Sequence, residues 1–207
     1  MVFVFLSLSL PSSKFNVIYA DPPWSFKTWS SRGKGRSAEK HYNCLTLDEI
    51  KQLPVSSIAH KDCALFLWAT DPLLPQAIDL MCKWGFTYKT VAFYWCKLNT
   101  KANPLFWESC DFFTGMGYWT RANPEICLLG SKGKPTRQSA SVKRLVISPR
   151  REHSRKPDEV PDRIVSLMGD VPRIELFGRQ PRRGWTTWGN EINKWSTNVL
   201  SGSINTQ

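Results

Sequence analysis

Asp21-Pro22-Pro23-Trp24 is the stretch of this sequence best equipped for chemistry. Two consecutive prolines between an acid and an aromatic make a stiff turn, because each fixes its own φ and Pro23 also holds Pro22 extended. Proline has no N–H, so Pro22 and Pro23 offer carbonyl oxygens without donors of their own. One carboxylate, at least one fixed carbonyl and a flat ring are what is needed to grip an exocyclic –NH2 group on a planar base. The plainer reading is a Pro-rich turn at a strand end, and the four residues alone leave both open.

The elements around this turn read as alternating strands and helices. Phe15 to Ala20, just before it, has the β-branched and aromatic content of a buried strand. Thr28 to Lys40 is rich in Gly, Ser, Lys and Arg and lacks apolar periodicity, as expected of a loop. Thr46 to Glu49 has capping-box form and opens a short helix to about Leu53. Ala64 to Trp68 is the continuous apolar run of a central parallel strand. Asp71-Pro72 starts a helix to about Trp84, stopped at Gly85, and Thr87 to Trp95 is a further strand. Glu125 to Leu129 reads as a strand running into a flexible basic loop, Gly130 to Lys134, and Leu145 to Ile147 as a short strand. Pro157 to Met168 reads as a helix ended by Gly169, Arg173 to Phe177 as a last strand, and Trp185 to Trp195 as a closing helix. The expected fold is one α/β domain over residues 15–197 with a mostly parallel sheet. Residues 1–14 are left outside that domain as an N-terminal segment, and residues 198–207 are expected to be a disordered tail.

In such sheets ligands sit beyond the carboxyl ends of the strands. The strand ending at Ala20 runs into the acidic-proline turn, and the one ending at Phe177 into Gly178-Arg179, where a glycine would let a ligand approach. The 207 residues carry 28 Lys+Arg against 17 Asp+Glu, a formal charge of +11, which points to a polyanion such as nucleic acid. Arg32, Lys34, Arg36 and Lys40 crowd one loop, and Arg150, Arg151, Arg182 and Arg183 add charge suited to tracking phosphates. The ten Trp suit base stacking, although most belong to the core.

Cys44, Cys63, Cys82, Cys96, Cys110 and Cys127 form no C-x-x-C pair, and His41, His60 and His153 supply no zinc spacing. They read as reduced thiols of a cytoplasmic protein, with no metal. Met1 to Leu10 resembles a short signal-peptide core without a preceding basic residue and is too short to span a bilayer; an edge strand or an extended translation start are the alternatives.

With these residues in place, the chain resembles the MT-A70 family of S-adenosylmethionine-dependent adenine-N6 methyltransferases. The blocks that carry the resemblance are Ala20 to Trp24, Leu67 to Thr70, Gly117 to Thr120, Asn123 to Glu125, Ser154 to Glu159, Glu175 to Arg179 and Trp188 to Glu191. They keep the family's order over residues 17–195, and the compact length is more like bacterial or phage members. The resemblance implies a Rossmann-like methyltransferase domain with helices on both faces of the sheet, permuted so that the catalytic motif precedes the cofactor motif. It implies S-adenosyl-L-methionine as cofactor and nucleic acid as partner, DNA ahead of RNA, with a homodimer or a partner subunit as further options. The setting it implies is the cytoplasm of a bacterial or phage-infected cell.

Under the resemblance, Asp21, Pro22, Pro23 and Trp24 form the catalytic target-amine site, with Asp21 also at the cofactor. Lys132 pairs with the cofactor carboxylate, Arg179 and Asn190 bind its ribose, and Glu175 and Glu191 lie nearby. Trp24 and Tyr42 cover the base, while Lys156 to Glu159 is read as no more than a helix start. The adenine N6 lone pair is delocalised into the ring, so Asp21 and the Pro22 carbonyl would accept both N6 hydrogens and localise it toward the sulfonium methyl. Cytosine-N4 methylation, RNA as substrate, and a non-catalytic nucleic-acid-binding subunit are the rival readings.

Overall fold

The computed structural model describes residues 9–24, 45–103, 105–117, 119–152 and 154–195. Seven strands form one sheet: β1 (Phe15–Ala20), β2 (Ala59–Ala69), β3 (Thr87–Leu98), β4 (Pro124–Lys132), β5 (Leu145–Pro149), β6 (Arg173–Leu176) and β7 (Thr186–Trp188). Their order is β5-β3-β4-β2-β1-β6-β7. β1 pairs parallel with β2 and β6, β3 with β5, and β6 with β7; β4 alone runs antiparallel to its neighbours β2 and β3.

The sheet is covered on both faces, as the fully buried runs of its central strands, residues 17–20 and 63–69, require. On one face Ile18, Ala20, Leu65 and Leu67 meet Ile50 of α1 (Leu47–Gln52), Val55 and Ile58 of α2 (Val55–Ile58), and Ala77, Leu80 and Met81 of α3 (Leu74–Lys83). On the other, Val17, Tyr19, Phe66 and Trp68 meet Val160, Ile164 and Met168 of α4 (Glu159–Met168). The expectation of an α/β domain with a mostly parallel sheet and helices on both faces is met.

Local signals fixed several boundaries. Thr46 caps α1 in a full capping box, the Glu49 amide donating to Thr46 Oγ1 and the Thr46 amide to Glu49 Oε2. Pro161 sits in the first turn of α4, where its missing N–H costs nothing, and Gly169 ends the helix at φ +84°. Asp71–Leu73 is a 3₁₀ turn leading into α3.

Two expectations fail. Gly130 to Lys132 is not a loop but the end of β4, where Lys132 pairs with Cys63 and Gly130 with Leu65. Trp185 to Trp195 is not a helix: Thr186–Trp188 is a strand, and turns follow it. Two threonines and a tryptophan suit a pleated edge, and β6 offers an unpaired side that takes Ile174↔Thr186 and Leu176↔Trp188. Gly178 serves this packing, because a Cβ there would lie 2.4 Å from Thr187 Cγ2. The glycine therefore admits β7. The segment expected as a loop at Thr28 to Lys40 lies outside the described residues.

Candidate active site

β1, β2, β3 and β5 end at the same edge of the sheet, and antiparallel β4 begins there. A cavity of about 900 Å³ opens at this edge. Asp21, Pro22 and Trp24 line it beside Trp68 and Thr70 from the end of β2, Lys97 from β3, and Glu125 from the start of β4. Arg150, Arg151 and Lys156 come from the segment after β5. The volume lies in the range of sites for small molecules.

The Asp21 turn is tied down on both sides. The Trp24 amide donates to the Pro22 carbonyl at 2.8 Å, so that carbonyl has one of its two lone pairs occupied by the turn itself. Pro22 is thus not free of competing donors, although a second lone pair remains for a ligand. Pro23 is buried and does not line the cavity. Trp24 Nε1 donates to the Trp68 carbonyl at 3.1 Å, which anchors the ring as one wall of the cavity. Trp68 Nε1 in turn donates to the Tyr19 hydroxyl at 2.7 Å, so the wall is braced from the core.

Charged groups alternate across the cavity floor. Lys156 Nζ donates to Asp21 Oδ2 at 2.8 Å and lies 3.3 Å from Glu125 Oε2, while Lys97 Nζ donates to Glu125 Oε1 at 2.6 Å. Burial works against the Glu125 charge, but the ammonium groups of Lys156 and Lys97 outweigh it and hold the carboxyl down at about 2. Lys156 and Lys97 each stand over an indole, at 5.4 Å from the Trp68 centroid and 5.2 Å from that of Trp95. Sequence reasoning missed Lys156, Glu125 and Lys97. Reading Lys156 to Glu159 as a helix start was wrong for the lysine, because α4 begins only at Glu159. Pro157, which disfavours a helical residue before it, was the available signal.

Asp158 organises the segment that carries Lys156. It accepts from Arg151, from Arg182 Nη2 at 3.0 Å and from Gln180 Nε2 at 3.1 Å. Burial opposes its charge, yet bonding to Arg151 and Arg182 brings its carboxyl to about 2. Arg151 and Arg182 are therefore engaged in holding this segment as well as lending charge to the surface.

The other expected site residues lie elsewhere. Lys132 is at the opposite end of the sheet, where Nζ donates to the Ser56 carbonyl and hydroxyl, both at 3.1 Å. Because β4 is antiparallel, its last residue points away from Asp21, and the structure does not bring Lys132 to the site. Glu175, Arg179, Asn190 and Glu191 gather around β6 and β7 and do not line the cavity. Arg179 is buried, with Nε 3.2 Å from Glu191 Oε2 and its guanidinium 5.2 Å from the Trp195 centroid. Asn190 is exposed beyond β7. Arg32, Lys34, Arg36, Lys40 and Tyr42 lie outside the described residues.

Glu175 has a consequence for stability. Burial pushes its carboxyl up to about 7, against the pull of Arg182, whose Nε lies 3.1 Å away. The folded state therefore holds a proton that the unfolded chain releases near pH 4.5. Its contribution is complete below that pH and is lost as pH rises through about 7. The wild-type unfolding free energy should fall by on the order of 2–3 kcal/mol from about pH 5 to pH 8 through this group. Glu175→Gln should flatten that slope in denaturant titrations. An equal slope in both proteins would show that Glu175 does not titrate in this way.

A family model described as MT-A70 matches residues 15–191. The type II methyltransferase M.MunI of a Mycoplasma species is 39% identical over 200 residues, 88% of this chain and 80% of that protein. The human N(6)-adenosine-methyltransferase catalytic subunit METTL3 is 31% identical over 185 residues, 86% of this chain and 28% of that one. An Arabidopsis thaliana protein named N(6)-adenosine-methyltransferase MT-A70-like is 31% identical over 183 residues, 86% of this chain and 24% of its own length. The chain thus spans most of the bacterial relative and about a quarter of these eukaryotic ones.

Proposed function

The chain belongs to the MT-A70 family, and we propose that it is an adenine-N6 methyltransferase that uses S-adenosyl-L-methionine to methylate DNA. The observation that carries the proposal is the Asp21-Pro22-Pro23-Trp24 turn, braced at the mouth of a cavity with a lysine already on its carboxylate. DNA is placed ahead of RNA because the relative covered over most of its length is a type II methyltransferase, whereas the N(6)-adenosine-methyltransferases are matched over about a quarter of theirs.

The donor set fits the cofactor. Lys156 offers a cation for its carboxylate, Glu125 and Asp21 offer carboxylates for its cationic groups, and Trp68 and Trp95 wall the space. When bound, the cofactor supplies an electrophilic methyl on a sulfonium. Lys132 lies at the opposite end of the sheet, and Lys156 takes the role of carboxylate partner. Arg179, Asn190, Glu175 and Glu191, around β6 and β7 and outside the cavity lining, would hold the cofactor only through β6, which pairs with β1.

The chain's own residues then act on the amine. Lys156 fixes Asp21 Oδ2, and Oδ1 is the acceptor assigned to one N6 hydrogen; the second lone pair of the Pro22 carbonyl takes the other. Accepting both hydrogens draws nitrogen toward tetrahedral geometry and stabilises the charge that forms on it, a preorganised electrostatic effect. Trp24 walls the base. Arg150 and Arg151 at the rim face phosphates.

No helix among the described residues is long and apolar enough to cross a membrane, and the five described cysteines are free. A cytoplasmic setting is proposed, and a partner subunit is proposed because the human relative is named as a catalytic subunit. The test is transfer of label from methyl-labelled S-adenosylmethionine to DNA and RNA oligomers with and without adenine. Label should appear as N6-methyladenine in DNA. Label on cytosine, or in no oligomer, would end the proposal, and label confined to RNA would move it to the rival substrate.

A further inference from the structure

Between β3 and β4 the chain makes a long excursion whose root is stapled to β3. The Phe113 amide donates to the Lys97 carbonyl at 2.8 Å, and Asn123 Nδ2 donates to the carbonyls of Lys97 and Phe113 at 2.9 and 2.6 Å. The second half is a hairpin closed by the Gly115 amide on the Ala122 carbonyl at 2.8 Å. A Cβ at Gly117 would lie 1.8 Å from the Thr120 carbonyl oxygen, so this tight turn admits only glycine.

At the tip stands Trp119, with φ +71° and 99% of its surface exposed. A bulky aromatic in the left-handed region is strained, and an indole wholly in water forgoes its burial. Two unfavourable features meet on one residue, which points to a partner that is not part of the fold. Met116, Thr120 and Arg121 beside it line the cavity, so the exposed Trp119 belongs to the segment that forms the cavity's rim. Arg121, Arg150 and Arg151 share that rim, and the Arg150 guanidinium lies 3.8 Å from the Phe113 centroid, beside the hairpin root. Positive charge around an exposed ring suits a polyanion carrying stacked bases.

We propose that Trp119 is a wedge that enters the DNA stack and fills the space left when the target adenine swings into the cavity, while Arg121 and Arg150 hold the flanking phosphates. A base in a duplex cannot reach the Asp21 turn while stacked, and an inserted side chain offsets the cost of unstacking it. The inference rests on the DNA reading above and adds a positioning residue to it.

The experiment compares the full chain with Trp119→Ala and Trp119→Phe on DNA containing a site first mapped on plasmid DNA methylated by the wild type. Three forms are used: a duplex, the same duplex with an abasic position opposite the target adenine, and the single strand. Trp119→Ala should lower kcat/KM on the duplex by about 10–100-fold, since the unstacking it offsets costs a few kcal/mol. The single strand should stay within about 2-fold, and the abasic duplex should recover most of the loss, because unpairing is already done. Trp119→Phe should fall between wild type and Ala. Equal loss on all three forms, an unchanged duplex rate, or a change of oligomeric state in sedimentation would overturn the wedge. A wild type that methylates only single strands also overturns it while leaving the methyltransferase reading intact. A wild type that methylates no DNA fails that reading itself.

Discussion

Asp21→Asn should lose about 10²–10⁴-fold in turnover while the protein stays folded, the scale expected when a positioned acceptor is removed from a reacting group. The substitution keeps the shape and one oxygen, so the outcome turns on which way the amide faces. Lys156 Nζ sits 2.8 Å from Asp21 Oδ2 and has hydrogens only to give. It will claim the remaining oxygen, which leaves the asparagine –NH2 facing the substrate amine, donor against donor. Asn should therefore be nearly as damaging as Ala in single-turnover rates, although it is almost isosteric. Melting temperature separates this from a structural role: a residue that merely holds the turn would lose stability and activity together. An Asp21→Asn protein that methylates adenine within a few-fold of the wild-type rate would remove Asp21 from the chemistry.

How much of this was legible depended on whether the signal was local. Phe15 to Ala20 followed by two prolines, the Thr46–Glu49 capping box and the Met168-Gly169 stop are each decided within a few residues, and the structure keeps all three. The direction of a strand is not local. Glu125 to Leu129 reads as buried β whichever way it runs, and in a sheet expected to be mostly parallel its end would fall at the ligand edge with Lys132. The antiparallel pairing of β4 reverses this, bringing Glu125 to the cavity and carrying Lys132 to Ser56. The same limit explains β7, whose three residues are a strand only because β6 has an edge to offer. Tertiary pairing overrode local propensity there. Lys156 was hidden for a related reason: its partner Asp21 is 135 residues away, and nothing near it in sequence records the contact.

Lys156→Ala is the second large effect expected, because the lysine serves two carboxylates at once. Its side chain is 11% exposed, and it lies 2.8 Å from Asp21 and 3.3 Å from Glu125. Removing one partner of a buried pair leaves uncompensated charge, a cost of about 3–5 kcal/mol in the general case. Lys97 remains on Glu125, so the lower end of that range applies to stability, with Asp21 the group left exposed to the loss. Cofactor affinity, read by calorimetric titration, should fall by roughly 10²-fold or more, at about 1.4 kcal/mol per tenfold. Lys156→Arg should recover part of it, since the charge survives although its geometry changes. A pH series gives a readout that does not depend on catalysis. Glu125 is held at about 2 in the wild type, below its ordinary 4.5, so it contributes stability above about pH 4.5 that is lost as pH falls through about 2. Without Lys156 the Glu125 carboxyl should rise, and the acid limb of the stability curve should become shallower between those values. Wild-type cofactor affinity together with an unchanged acid limb would show that Lys156 neither serves the cofactor nor holds the Glu125 charge.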